Sequence, residues 1–289
     1  MNKNIFTKLS ILLTLSFFTQ LTHTTKLASC GRGEIKIWNT KGSANQKPKT
    51  FRRGRLNNIE FNPSNPDQLA SYGKGTIKIW DTEDPADQEP KTFTHDKVIG
   101  IKFNPSDTDQ LASRSMEEGT IKIWDLREDE EQEPKTFIHR LVVSIKFNPS
   151  KPNQLASYSF GEKGTIKIWD TEGPADQDPK TFRHNRVFSI AFNPFNRDQL
   201  ASCSMEEGTI KIWDLREGEN QKPKTFFHDG VRNIAFQPIE TQEKKIRRED
   251  EEERLRFLKA LREQSKATGE TEVQTGGKKL FVPRWAVFK

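Results

Sequence analysis

The side chains with most chemistry to offer are four histidines and two cysteines. His95, His139, His184 and His228 recur at intervals of 44 or 45 residues. An imidazole can ligate a metal, move a proton or close a buried hydrogen-bond network. Equal spacing along the chain means one slot used repeatedly, which is the mark of architecture. A ring of metal-binding histidines would need cysteine or carboxylate companions at ligand spacing, and none stands there. The fifth, His23, falls in an N-terminal segment with its own character. Cys30 and Cys203 each close a Leu-Ala-Ser-Cys tetrapeptide, at 27–30 and 200–203. The first copy has the form of a bacterial lipoprotein cleavage box, but the internal copy identifies both as one repeated segment. At equivalent positions of neighbouring sheets, about 10 Å apart, the two thiols are beyond disulfide reach. The chain has no phosphate-cradling glycine loop, no nucleophile elbow and no HExxH. The Asn-Pro-Ser triplets at 62–64, 104–106 and 148–150 carry a proline that blocks glycosylation. The expectation is a protein without enzymatic activity, metal or cofactor.

The elements that hold these residues repeat with them. One heptapeptide recurs five times, as Gly-Glu-Ile-Lys-Ile-Trp-Asn from Gly33 and as Gly-Thr-Ile-Lys-Ile-Trp-Asp from Gly75, Gly119, Gly164 and Gly208. Its tryptophans are Trp38, Trp80, Trp124, Trp169 and Trp213, separated by 42, 44, 45 and 44 residues. Each period holds four short apolar runs punctuated by Gly, Pro, Asn and Asp. In the second they are 56–61, 68–71, 76–80 and 91–93. Ile77 and Ile79 alternate with Lys78 and Trp80, as a strand requires. Four strands per period of this length predict a blade of a β-propeller.

The Trp-Asp pairs at 80–81, 124–125, 169–170 and 213–214 resemble the WD-repeat family, as do the four histidines. The first copy has Trp38-Asn39. The likeness covers roughly residues 27–238, and it implies an all-β chain of four-stranded antiparallel blades and a protein-binding role. Departures from the family pattern are regular. The residue before the histidine is Thr94, Ile138, Arg183 or Phe227 rather than Gly. The hairpin before the tryptophan strand has Arg32, Lys74, Glu118, Lys163 or Glu207 in place of Asp, and the first copy lacks the histidine. The family's Trp–Ser–His–Asp chain is therefore incomplete, and Ser115, Ser159 and Ser204 or water are expected to serve the histidines. Every tryptophan is expected to be buried between blades.

The repeat count fixes an architecture. The first copy begins at Leu27 in its second strand, and an extra innermost-type strand, Val231–Phe236, follows the last. Five blades result if that strand completes the first blade and closes a monomeric ring; the alternative is an open arc that dimerises. Residues 115–128 recur identically as 204–217, so a two-blade unit of 89 residues was copied in tandem. The prolines at 48, 90, 134, 179 and 223, each followed by Lys-Thr-Phe, are read as guards of the outer edge, their lysines serving solubility.

Residues 1–24 read as a secretory signal: Lys3 and Lys8, then the apolar run 9–18, too short to span a bilayer. A secreted or periplasmic protein follows, free of membrane after cleavage; without a signal it would be cytoplasmic. Beyond 238, residues 242–265 form a charged helix candidate, 268–279 a linker, and 280–289 an apolar segment able to dock. The net charge of +6 is modest. It gathers in loops entering the innermost strands as Arg52, Arg53, Arg55, Lys97, Arg140 and Arg186, and the opposite loops are acidic. The expected function is a non-catalytic protein-binding scaffold that receives an acidic segment on this basic rim, chiefly at Arg52, Arg53 and Arg55. The alternatives are a lectin-like or small-ligand propeller, with Tyr72, Tyr158 and Phe160 as aromatic platforms, and an RNA binder. The last needs a continuous basic stripe, which glutamates at 117, 118, 206 and 207 interrupt.

Overall fold

A computed structural model describes residues 26–237 apart from 44, 53, 55, 129, 130 and 132, together with 255–256, 259, 271–275 and 278–282. The signal candidate and most of the tail lie outside the described residues.

Five antiparallel sheets follow one another along the chain, each meandering from the inside outwards. The first has three strands, β1 (Lys26–Gly31), β2 (Glu34–Asn39) and β3 (Lys49–Arg52). The second has four: β4 (Asn58–Asn62), β5 (Asn65–Gly73), β6 (Thr76–Asp81) and β7 (Lys91–Thr94). The third comprises β8 (Gly100–Phe103), β9 (Gln110–Ser115), β10 (Thr120–Asp125) and β11 (Lys135–Ile138). The fourth comprises β12 (Val142–Asn148), β13 (Lys151–Ser159), β14 (Thr165–Asp170) and β15 (Lys180–Arg183). The fifth comprises β16 (Val187–Phe192), β17 (Gln199–Ser204), β18 (Thr209–Asp214) and β19 (Lys224–Phe227). This is the five-bladed, all-β arrangement that the repeat predicts. The tandem copy is visible too: the second strands of blades two and four run nine residues, those of blades three and five six.

Burial follows the strand period. In β10, Ile121, Ile123 and Trp124 are buried while Lys122 is only partly covered. The core lies between sheets, where the phenylalanine of each Lys-Thr-Phe meets the tryptophan of the next blade. The pairs are Phe51–Trp80, Phe93–Trp124, Phe137–Trp169 and Phe182–Trp213, with ring centroids 5.1, 5.1, 4.8 and 5.3 Å apart. Such pairs contribute about 0.5–1.5 kcal/mol each beyond area burial.

Several expectations are corrected. Trp38 is not buried between blades; 36% of it is exposed, and among the described residues no blade precedes its own. Val231–Phe236 is not a strand among the described residues, and the first sheet keeps three strands. A strand without a ladder partner has nothing to hold its backbone extended. The lysines after the prolines are structural. Lys49, Lys91, Lys135 and Lys180 donate to backbone carbonyls of Thr82, Leu126, Thr171 and Leu215 in the next blade, at 2.6–2.9 Å. The asparagines of the Asn-Pro turns also bridge blades, Asn62 to the Thr108 carbonyl, Asn104 to Pro152 and Asn148 to Arg197.

A second unit, Gln237–Lys289, is separate from the first. Residues 255, 256 and 259 are helical, within the helix candidate. The expected linker is instead half of a hairpin, β20 (Thr271–Thr275) with β21 (Lys278–Val282). Gly276-Gly277 separates the strands in sequence, a favoured two-residue hairpin connection.

Candidate functional site

The histidines were the first candidates, and the structure puts three of them in one relay. The His95 backbone N–H bonds the Gly75 carbonyl of its own blade at 2.9 Å. Its side chain reaches the next blade, Nδ1 to Ser113 Oγ at 2.6 Å and Nε2 to Thr120 Oγ1 at 2.9 Å. Ser113 also accepts the indole N–H of Trp124 at 2.8 Å. His139 does the same with Ser157, Thr165 and Trp169, and His184 with Ser202, Thr209 and Trp213. Threonine spends its proton on Glu118 or Glu207 in blades three and five, so it accepts from Nε2–H. Nδ1 is then the acceptor and takes the serine proton, while the serine oxygen accepts the indole N–H. The imidazoles are neutral. Burial, aided by Lys122, Lys167 and Lys211, pushes His95 and His184 down to about 4 and His139 to about 3.

Ser113, Ser157 and Ser202 stand where Ser115, Ser159 and Ser204 were expected. Ser115 and Ser204 instead accept the N–H of Glu118 and Glu207, and Ser159 touches the relay only through Thr165. Threonine fills the place of the missing aspartate. A serine, a histidine and a carboxylate in line have the parts of a hydrolytic triad, yet Ser113 and His95 are both fully buried and no substrate reaches them. His228 occupies the same backbone position, its N–H 2.8 Å from the Gly208 carbonyl. It is exposed, and among the described residues no blade follows to offer serine and threonine. Cys30 and Cys203 are free thiols. Among the described residues no cluster of three or more His, Cys, Asp or Glu could hold a metal.

The basic rim is mixed. Arg52 bonds Glu34 at 2.9 Å, Lys97 pairs with Glu117, and Arg186 with Glu162 and Glu206. Arg53 and Arg55 lie outside the described residues. Arg140 is exposed and forms no ion pair among the described residues. Beside it the rim is apolar. Ile138, Leu141, Phe160 and Phe188 are 55, 56, 61 and 47% exposed. The first three, with Arg140, Lys163 and Lys167, line an open cleft of about 560 Å3 between blades three and four. Leu141 holds φ of +59° at the slot where Lys97, Arg186 and Gly230 also have positive φ. That turn returns the chain from the outermost strand to the next innermost one, and it thrusts Leu141 outwards. Tyr72 and Tyr158 are not platforms: their hydroxyls donate to the Ile99 and Phe188 carbonyls at 3.0 and 2.7 Å. The apolar rim was missed because single exposed leucines and phenylalanines carry no sequence signal; only the fold gathers them.

The family model for the WD domain, G-beta repeat, matches residues 177–214, from just before β15 to the end of β18. No curated protein matches the chain.

Proposed function

We propose, on the premise that this chain belongs to the WD-repeat family, that it is a non-catalytic scaffold whose rim docks a partner polypeptide. The observation that carries the reading is the cleft at blades three and four, where exposed Leu141 and Phe160 adjoin Arg140, which forms no ion pair among the described residues. Exposed apolar side chains cost free energy that a partner recovers by covering them. Arginine adds a fork that grips a carboxylate. The partner is a segment with one apolar anchor and adjacent acidic residues. Arg52, Lys97 and Arg186 already have acidic neighbours and contribute long-range attraction rather than the main grip. The apolar run at 9–18 supports a site of action outside the cytoplasm.

Peptide display against the full chain tests the reading. Selected sequences should pair an acidic residue with an aromatic or aliphatic one. Leu141→Asn, Phe160→Ser and Arg140→Glu should each weaken binding at least tenfold with melting unchanged, and Arg52→Glu with Arg53→Glu and Arg55→Glu should act mainly on the association rate. Peptides that bind the cleft variants as tightly as the parent overturn it.

A further inference from the structure

The first and last blades carry the two unmatched halves of one joint. Between neighbouring blades the joint has recurring parts: a phenylalanine on a tryptophan and a buried leucine from the second strand at all four, and a histidine on a serine at the last three. At the head these parts are Trp38, Ser29 and Leu27; at the tail they are Phe226 and His228. All of them are well covered in the other blades and open here. Leu69, Leu111, Leu155 and Leu200 are fully buried, whereas Leu27 is 56% exposed. Phe51, Phe93, Phe137 and Phe182 are at most 1% exposed, whereas Phe226 is 46% exposed.

The backbone is unmatched in the same way. Among the described residues no strand pairs with the inner edge of β1, and the first sheet lacks the innermost strand that the four-stranded sheets have. Residues 231–236 repeat that innermost strand without a sheet to join. They already sit in its place beside β16. Val231 is 3% exposed and its N–H bonds the His228 carbonyl at 3.3 Å, as Val98 and Val142 bond His95 and His139. Asn233 bonds Ser189 at 3.0 Å. In blade five, Phe192 stands opposite Leu200 and Ile190 opposite Ser202. The same register sets Phe236 opposite Leu27 and Ile234 opposite Ser29.

We propose that this chain binds a second copy of itself head to tail, the 231–236 segment of one copy supplying the innermost strand of the other's first blade. The occupant follows from the joints themselves. Four joints of near-identical residues hold the five sheets, and with those joints made both ends of one molecule stay open. Adding a copy repeats the joint already made four times. An unpaired strand edge beside an unpaired strand also favours such addition. The contact joins two different surfaces, so it continues into a chain or ring of copies.

Sedimentation velocity of the full chain over a concentration series is the test. The parent should shift from monomer to dimer and larger species as concentration rises. Trp38→Asp and Phe226→Asp should each remain monomeric, as should Leu27→Asp, a second head variant at an exposed site. Mixing Phe226→Asp with either head variant should yield a dimer and nothing larger, since one contributes an intact head and the other an intact tail. A parent that stays monomeric throughout, self-closed or covered by its own terminal segments, overturns the proposal. So does a mixture that stays monomeric.

Discussion

His95, His139 and His184 tie stability to pH with a definite sign. Each is neutral when folded, its pKa lowered by burial, first of all, and then by a neighbouring lysine; at His184, Glu207 opposes slightly. The unfolded chain returns each to about 6.5 and binds more protons below that value. Their contribution is therefore full above pH 6.5 and is lost as pH falls through 4 towards 3. Urea midpoints should drop steadily from pH 6.5 downwards, and a flat profile would show solvated imidazoles. Trp124→Ala should cost about 3–5 kcal/mol, as aromatic truncation in a core does. Trp38→Ala, measured in dilute solution, should cost far less, because much of that ring already faces water. The relay serine was misassigned for a physical reason. Ser113 and Ser115 are two residues apart on one face of β9, and a period of two cannot separate them. The height of the histidine along the strand decides, and that is set by the bond from its backbone N–H to the preceding glycine.

At the level of elements, the lysine after each proline is the least expected contributor. It crosses to a backbone carbonyl of the next blade. Lys135→Met should lower stability by about 1.5–3 kcal/mol, the range for a bond involving a charged group. Lys224→Met should have no measurable effect in dilute solution, since among the described residues no blade follows β19. Equal losses at both positions would mean that the lysines act through solubility alone. Strand identity was legible because heptapeptide, Leu-Ala-Ser and Lys-Thr-Phe recur in phase. The 271–282 hairpin was not, because its composition is polar and only the Gly-Gly pair marks a turn.

At the level of the molecule, the five sheets and the tail form separate units. Removing residues 238–289 should leave the melting temperature of the remainder unchanged by circular dichroism; a large loss would make the tail part of the fold. The amino-acid sequence by itself determined the blade, its strand order and the number of copies, since hydrophobic period and turn residues are local and were repeated five times. It also marked the histidines as structural, because equal spacing admits no other simple reading. Only the tertiary structure decided which serine each histidine meets, where the lysines end, and that Leu141 and Phe160 share a cleft with Arg140. These depend on the height and angle at which one sheet stands against the next. Those quantities arise from residues 18 to 36 apart in the chain, and no local pattern carries them. The same holds for Trp38, whose motif matches its four copies but whose burial depends on a neighbouring blade.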